Sequence, residues 1–400
     1  MFSRRNLYSA ALVVLTATFG LLVGIQSQET PKIGIRASKS QKLKSVTAVT
    51  GEDAATANLR QLIENGGEVI VPPGRYTFLD TLVVSRTTSI KGAYRDLCIF
   101  DFSKMVDPTK EAIRIDRMWG YELSNITITG NRTTNSLGIL NSTTIPNANG
   151  TYGTVSGSAI WSHIIVSGFK TGIQIGSPTQ YIAASENVYT HLEVAQCDTC
   201  IKLYDYNTLN HRFIMLLMGD CNTGMTTNGA SYVSVDSGSF SSVKGIVFDM
   251  AACSASRFRD CRMEEGNVFL RCGTTSTATN HIVDGCQIHQ RASLGATPPE
   301  DTSLYANGWQ SPFVVGGSAV LTVRNTFISM TTKNFSPILD VHNAPGGAIE
   351  ATGNTCNIDP SIRPFKSVNN SHLTGRWFIQ RNQWTNSGQI FKGWYPDSSN

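Results

Sequence analysis

The densest group of charged side chains in the sequence lies in the segment SASRFRDCRMEEGN. In an extended chain, side chains alternate between two sides. We therefore expect the apolar Phe258, Cys261 and Met263 to face a core. The charged side chains that then project outward are Arg257, Arg259, Arg262 and Glu264. Asp236 precedes this group, and Asp284, His289 and Arg291 follow it.

These residue types suit two ways of breaking a sugar polymer. Hydrolysis of a glycosidic bond uses two carboxyl groups, about 5 Å apart for retention or roughly 6.5 to 9.5 Å apart for inversion. Asp236 or Asp249 with Glu264 would supply such a pair. Elimination from a uronic acid polymer needs a base and a cation against the carboxylate. The candidates for those roles are Arg257, Arg259 and Arg262, so the cluster suits both reactions. A solvated face of alternating charges is the alternative interpretation.

Five short segments with the same pattern predict a repeating element that positions these residues. They are KTGIQIG, DTCIKLYD, NTGMTTNG, VKGIVFDM and EGNVFLRC, aligned on Gly172, Cys200, Gly224, Gly245 and Asn267. The aligned residues lie 28, 24, 21 and 22 positions apart, which is the length of one turn of a β-solenoid. The first and third residues after each aligned residue are apolar in nine cases of ten, which predicts that their side chains stack in the interior. A β-sandwich would not explain this fixed frame.

The fourth residue after each aligned position is predicted to point outward. This gives a single ladder of Gly176, Tyr204, Asn228, Asp249 and Arg271. An aromatic ring, an amide, a carboxylate and a guanidinium in one row would bind sugar rings with their hydroxyl or acid groups, with Tyr204, Asn228 and Arg271 as the binding residues. An ion pair between Asp249 and Arg271 without a binding role is the alternative.

Four of the nine cysteines follow the same spacing. Cys197 and Cys221 lie 24 residues apart, and Cys261 and Cys286 lie 25 apart. At one turn of the solenoid per step, these thiols become neighbours in an interior stack. One or two disulfides, and a metal or redox site at the CDTC motif, are the competing interpretations.

The composition favours strands and turns. Charged residues make up 16% of the 400 residues, against about 25% in average soluble proteins, and glycine is abundant at 35 residues. Solvated helices need more Lys, Glu and Arg than this. A net charge of +4 lacks the basic excess of a nucleic-acid-binding protein, so nucleic acid is excluded as a partner.

The chain divides into three predicted regions. Residues 1–27 carry Arg4 and Arg5 before an uncharged apolar run, the pattern of a secretory signal peptide or signal anchor. Residues 28–57 form a polar linker. Residues 58–400 form the repeating domain, which begins with a helix through Leu59, Leu62 and Ile63 that stops at Gly66 and Gly67. The stretch from residue 125 to 157 is expected to be a loop. The segments TVRNTFISM, GGAIEATGN and WFIQRNQWTN are expected to be strands in further turns of the solenoid.

The helix, the Gly-Gly pair, the strand VIV and the turn PPGRY resemble the opening segment of the pectate-lyase-like superfamily of right-handed parallel β-helices. This superfamily includes pectin-degrading enzymes and phage tailspikes. The resemblance implies an all-β, single-stranded right-handed parallel β-helix with an N-terminal helix cap. It transfers no catalytic residue, because the motifs NTD, DD, GHG and RIK do not occur in order and WSHI lacks the Asp of a WxDH motif.

These observations predict an exported protein, in the medium, the periplasm or at the cell surface, that acts on an extracellular polysaccharide as a lyase or glycoside hydrolase. The alternative is a binding tailspike, adhesin or structural surface protein without activity. No cofactor or resident metal is predicted, although a lyase of this fold would be compatible with Ca²⁺. A homotrimer is compatible with the tailspike alternative, and membrane contact is expected only if the N-terminal segment is kept as an anchor.

Overall fold

The computed structural model describes residues 49–85, 88–116, 118–142, 157–177, 184–204, 209–230, 232–273, 279–290, 311–330, 339–342, 347–357, 365–368, 377–380, 383–386 and 389–391. The predicted signal segment and residues 28–48 of the predicted linker lie outside the described residues. The described chain contains one helix, Ala54–Asn65, followed by a succession of short strands that pair in parallel.

The helix begins and ends on local signals. Asp53 is the N-cap, and its carboxylate accepts hydrogen bonds from the backbone of Ala55 and Thr56 at 2.9 Å. These hydrogen bonds lower the pKa of Asp53, and the bond from Thr56 has the largest effect. Gly66 ends the helix with a φ of 85°. Leu59 and Ile63 are buried, as their helical spacing predicted, and the helix starts four residues before the boundary expected at residue 58.

The strands form three faces, and each strand pairs with its counterpart one turn of the coil away. The first face consists of Gly67–Val71, Thr88–Gly92, the first halves of Glu122–Thr129, Ile160–Ser167 and Val188–Ala195, and then His211–Ile214, Tyr232–Asp236, Ala255–Arg259, Thr279–Asp284, Ala319–Arg324, Ala348–Thr352 and Trp377–Gln380.

The second face continues each turn after a corner. It consists of Gly74–Thr77, Cys98–Asp101, the second halves of the three long strands just named, the first halves of Leu217–Asn228 and Ser239–Ala252, and then Arg262–Gly266, Gln287–Gln290, Phe327–Met330, Thr355–Asn357 and Gln383–Asn386. Gln389–Phe391 pairs antiparallel with the last of these strands.

The third face closes the coil. It consists of Leu82–Ser85, Glu111–Asp116, Leu137–Asn141, Thr171–Ile175, Thr199–Tyr204, the second halves of Leu217–Asn228 and Ser239–Ala252, and then Val268–Cys272, Phe313–Gly316, Leu339–His342 and Phe365–Val368. The fold is therefore a right-handed parallel β-helix with an N-terminal helix cap, as predicted.

The corner between the first and second faces uses left-handed backbone. Ser237, Asp260, Gly285 and Asn325 occupy this corner in successive turns of the coil, with φ values of 59°, 52°, 66° and 51°. Asn and Asp tolerate this conformation better than other side chains, and Gly adopts it freely. Because of this corner, the side chains before it project from the first face and those after it project from the second face.

The predicted repeat is confirmed on both sides of one break. Ile173 pairs with Ile201, and Ile201 with Met225. In the next turn Met225 pairs with Phe248 rather than with Ile246, so the alignment of Gly224 with Gly245 was wrong by two residues. A bulge opposite Asn222 places one extra residue between Val243 and Ile246 of the later strand. Gly245 lies in this bulge, where a β-carbon would lie 2.6 Å from the Asn222 carbonyl oxygen.

The loop expected over residues 125–157 is wrong for residues 125–141, which include parts of two strands, and residues 143–156 of it lie outside the described residues. Ile126 and Ile128 are fully buried on a strand of the second face, and Ile139 is buried on the third face. Their alternation with polar Thr127 and Thr129 is a strand pattern that the many Asn and Thr residues nearby obscured. The three weaker expected turns, at TVRNTFISM, GGAIEATGN and WFIQRNQWTN, do contain strands.

The cysteines lie in the core, as the interior-stack interpretation predicted. All nine thiols are free and buried. The Cys261 thiol donates to the Val235 and Arg259 carbonyls, and Cys286 repeats this pattern one turn later. Burial raises the pKa of Cys197 to about 12. These side chains therefore pack as small apolar groups rather than as reactive thiolates.

Two buried histidines in the inner side of the first face make the fold sensitive to acid. His211 lies between the Tyr189 hydroxyl, 3.3 Å from Nδ1, and the Ala184 carbonyl oxygen, 2.8 Å from Nε2. The Ser256 hydroxyl lies 2.8 Å from Nδ1 of His281. Burial lowers the pKa of each imidazole to about 4, so both are neutral in the folded protein at neutral pH.

We expect the free energy of unfolding to decrease as the pH falls from about 6.5 towards 4. The unfolded chain takes up protons on both imidazoles over this range while the folded chain does not, so each histidine removes about 2 kcal/mol by pH 5. Urea denaturation at several pH values measures this slope. His281→Leu, which places leucine beside Leu321 of the next strand, is expected to reduce the acid loss by about half, and an unchanged slope would contradict the assignment.

Candidate functional site

Two outward columns of side chains run along the first face. The first outer column contains Ile160, Val188, Arg212, Ser234, Arg257 and Ile282, each paired with the next. The second outer column contains Ser162, Thr190, Ile214, Asp236, Arg259, Asp284 and Arg324. The residues between them, such as Phe213, Val235 and Phe258, are buried. Strand alternation thus puts the charges outside on a rigid hydrophobic wall.

A cleft of about 470 Å³ opens along this face. It is lined by Glu186, Val188, Asn210, His211, Arg212, Tyr232, Ser234, Asp236, Arg257 and Arg259. Ser234 is buried in the first outer column between Arg212 and Arg257, so it forms the floor beneath their longer side chains. Three guanidinium groups and two carboxylates face one elongated surface.

One carboxylate holds two of these arginines. One Asp236 carboxylate oxygen lies 3.0 Å from Nε of Arg259, and the other lies 3.6 Å from Nε of Arg212. The Asp236 side chain is 14% exposed, whereas the two arginines are about half exposed. Pairs of this kind contribute about 1 kcal/mol or less to stability. Their effect is to fix the direction of the groups in the cleft.

Arg257 differs from its two neighbours. It makes no ion pair within the described part of the chain, and its Nε is buried without a hydrogen-bond partner among the described residues. A buried polar atom without a partner is rare and costs stability unless something binds there. The cleft thus contains a guanidinium group that can donate hydrogen bonds to a bound anion.

The structure splits the predicted catalytic group. Asp236, Arg257 and Arg259 come together in the cleft. Arg262 and Glu264 lie on the second face, where they form an ion pair with each other, and neither lines the cleft. The corner at Asp260 causes this separation, because it redirects the chain between Arg259 and Arg262.

The predicted outward ladder is divided as well. Tyr204 pairs with Asn228 on the third face, but Asn228 then pairs with Ala252. Asp249 pairs instead with Thr226 before it and Arg271 after it. The bulges that shift the register by two residues are the reason, so the four residues do not form one row.

Asp249 and Arg271 form a bidentate ion pair below the surface of the third face. Nε of Arg271 donates to one carboxylate oxygen at 2.7 Å, and Nη2 donates to the other. Both side chains are nearly buried, at 12% and 11% exposure. This geometry agrees with the ion-pair alternative for these two residues, with the difference that the pair is buried rather than at the surface.

The two cleft carboxylates are too far apart for the pair, about 5 Å apart, that a retaining hydrolase uses. Glu186 and Asp236 lie two strands and four residues apart, which corresponds to about 16 Å between their α-carbons. Asp284 lies two strands beyond Asp236 on the same column, but it does not line the cleft. Burial of Asp284 is outweighed by hydrogen bonds from Arg324 and Asn325, so its pKa lies below the usual value. A general acid needs the opposite shift.

The donor set of the cleft does not suit a calcium ion. Ca²⁺ takes six to eight oxygen ligands, several of them carboxylates. The carboxylates that line the cleft are Glu186 and Asp236, which are far apart, and Asp236 already forms ion pairs with two arginines. Among the described residues, no group of three His, Cys, Asp or Glu side chains is arranged to hold a metal.

Seven cleft residues were missed from the sequence: Glu186, Val188, Asn210, His211, Arg212, Tyr232 and Ser234. Arg212 and Ser234 precede Arg257 at one-turn intervals on the same outward column, and this spacing is a signal that was available. Glu186 could not be found in this way. It occupies another left-handed corner, with a φ of 60°, outside any strand.

Comparisons with known proteins find likeness in the fold alone. No family model matches the chain, and no curated protein matches its sequence. A mannuronan C-5 epimerase A-module from Azotobacter vinelandii is 13% identical, with a TM-score of 0.46 over 83% of this chain and 95% of that one. The catalytic unit of an alpha-1,3-glucanase from Streptomyces thermodiastaticus is 12% identical, with a TM-score of 0.44 over 88% and 70%.

A phage tailspike gives a similar result over less of its length. Tailspike protein 2 of an Escherichia coli bacteriophage is 12% identical, with a TM-score of 0.45, and the match covers 69% of this chain and 41% of the tailspike. In the part of the chain that the structure describes, no helix is long and apolar enough to cross a bilayer.

Proposed function

We propose that this chain is an exported protein that binds an acidic polysaccharide along the first face and cleaves it by elimination in the cleft. The observation that carries the proposal is the Arg257 guanidinium, which lines the open cleft and makes no direct ion pair with a described carboxylate, Asp284 acting on it only at longer range. Arg212 and Arg259, by contrast, share Asp236. A uronic acid unit supplies the carboxylate that such a group binds.

The cleft contains the groups that elimination requires. Arg257 would bind the uronate carboxylate and stabilise the negative charge that develops on it. Asp236, aligned by Arg259, would remove the proton from the carbon next to that carboxyl group. The electron pair forms a carbon–carbon double bond, the bond to the glycosidic oxygen breaks, and that oxygen takes a proton from water in the open cleft. The hydroxide left behind takes the proton from Asp236, which restores the water and the carboxylate. The products are a reducing end and an unsaturated sugar.

A binding protein without activity is the second candidate, as a tailspike, an adhesin or a structural surface protein. The observation that favours it is the engagement of Asp236 by two guanidinium groups, which compete for the lone pairs that a base would use. The same cleft would then retain the polymer uncleaved. A homotrimer belongs to this candidate, and sedimentation equilibrium measures it.

Export is the third part of the proposal and rests on the basic and apolar pattern of residues 1–27. It places the protein in the medium, the periplasm or at the cell surface, where extracellular polysaccharides are found. Fractionation of expressing cells, with N-terminal sequencing of the mature chain, tests both the location and the removal of the segment.

The reaction is tested on a panel of acidic and neutral polysaccharides. Elimination gives a product that absorbs ultraviolet light, whereas hydrolysis gives reducing ends without that absorbance. We expect absorbance with at least one uronic acid polymer. Reducing ends alone would replace elimination by hydrolysis, and retention without any product would favour the binding candidate.

Arg257→Ala is expected to weaken retention of the acidic polymer about tenfold or more, because hydrogen bonds to a charged group contribute about 1.5 to 3 kcal/mol. Arg262→Ala is the matched control. It removes the same charge from the second face, where the side chain is 56% exposed and paired with Glu264. Affinity electrophoresis at fixed salt measures both variants. Equal weakening would show that net charge, and not the cleft, determines binding.

A further inference from the structure

An exposed tryptophan lies on the N-terminal side of the cleft. Trp119 is 52% exposed and forms a parallel bridge with Gly157 in the next turn of the coil. Large exposed aromatic side chains are uncommon without a partner, since their burial is favourable. Neighbouring Ile160 is also 53% exposed, so the surface is partly apolar here.

The backbone holds the indole in place. A β-carbon on Gly157 would lie 2.6 Å from Cζ3 of Trp119, so only glycine leaves room for the ring at this position. Backbone hydrogen bonds of 2.9 Å join Gly157 to Met118 and Gly120 on either side. The ring is therefore braced against a fixed strand, while about half of its surface remains open to solvent.

A polar row connects Trp119 to the cleft. The corner column next to it runs from Gly120 through Ser158, Glu186 and Asn210 to Tyr232, as the strand register requires. Glu186, Asn210 and Tyr232 line the cleft, and Tyr232 is 38% exposed. Four strand spacings separate the two aromatic residues, or about 19 Å.

We infer that Trp119 is a sugar-stacking subsite, four turns from Tyr232, in a groove that binds the polysaccharide parallel to the axis of the coil. This rests on the proposed function and extends it to the length and direction of the substrate. The negative face of an aromatic ring attracts the positively polarised C–H groups of a sugar ring. Hydroxyl, carboxylate and amide groups between the two rings match sugar hydroxyls.

The length of the groove determines the size of ligand that can contact both of its ends. A single sugar ring does not reach from Trp119 to Arg257, so only an oligomer engages both. Trp119 then contributes to the binding of long chains and not of short ones. This size dependence separates a subsite from a general effect on folding, which would weaken every ligand.

The test measures retention of a panel of acidic and neutral polysaccharides, together with a size series of oligosaccharides cut from the polymer that is retained. Trp119→Ala is expected to weaken polymer binding about tenfold and to leave the shortest oligosaccharides unaffected, while Trp119→Phe restores most of the loss. Tyr94→Ala is the control, because Tyr94 is 66% exposed in a turn outside the groove.

The outcomes separate this inference from the proposed function. Loss of binding in Arg257→Ala but not in Trp119→Ala overturns the subsite and leaves the function intact. Retention of a neutral polymer that depends on Trp119 supports the subsite and overturns the acidic substrate. Equal effects of Trp119→Ala and Tyr94→Ala, or no retention of any polymer by the unaltered protein, overturn the subsite.

Discussion

Asp236→Asn is expected to slow cleavage of the acidic polysaccharide by about 10²-fold or more. A positioned general base typically contributes 10² to 10⁴ in rate, and the amide cannot take up the proton. The variant keeps the shape of the side chain and loses a pair that contributes about 1 kcal/mol or less to stability. Initial rates from ultraviolet absorbance, with the melting temperature of the same samples, measure the two effects separately.

Asp284→Asn is the matched control for this change. Asp284 lies on the same outer column two strands further along, is 19% exposed, and pairs with Arg324 at 2.9 Å, but it does not line the cleft. The Asp284→Asn variant is expected to cleave the polysaccharide at the rate of the unaltered protein. If both variants lose activity equally, the loss is not specific to the cleft and the assignment of Asp236 as the base is wrong. Full activity in Asp236→Asn would remove that residue from the mechanism.

The second large effect is expected in stability, at the buried ion pair of the third face. Asp249→Ala should lower the free energy of unfolding by about 3 to 5 kcal/mol, because it deprives a nearly buried guanidinium of its bidentate carboxylate. Urea denaturation at neutral pH measures the loss. The combined change Asp249→Leu and Arg271→Met removes both charges and should recover most of it.

Glu264→Gln provides the comparison. Glu264 pairs with Arg262 on the second face, and the two side chains are 42% and 56% exposed. Solvent screens such a pair, so the expected loss is below about 1 kcal/mol. A shift of the urea midpoint as large as that of Asp249→Ala would contradict the assignment of a buried pair and an exposed pair.

The repeat was predictable because the interior of the coil imposes it. Ile173, Ile201 and Met225 stack on one another, and each must be apolar and one turn apart. The same requirement reveals the cysteine stack. The shift at Asn222 was not predictable, since Gly224 and Gly245 offered a plausible match and a bulge depends on backbone geometry that leaves little trace in side-chain types.

The candidate site was predictable in part. Arg257 and Arg259 were found together with Asp236, since all three project from strands of one face. Glu264 was assigned to the same group because it is near in sequence, but the left-handed corner at Asp260 turns it away. Arg212 joins the cleft from an earlier turn of the coil, and its position two turns before Arg257 was the one indication of that in the sequence.

By itself, the sequence determined the class of fold, because low charge, frequent turn residues and an apolar frame at turn spacing are what a stack of short parallel strands requires. The tertiary structure decided which charges meet. Corner angles and register shifts of one or two residues rotate whole sets of side chains from one face to another. They place Asp236 beside Arg259 in an open cleft, and Asp249 beneath the surface with Arg271.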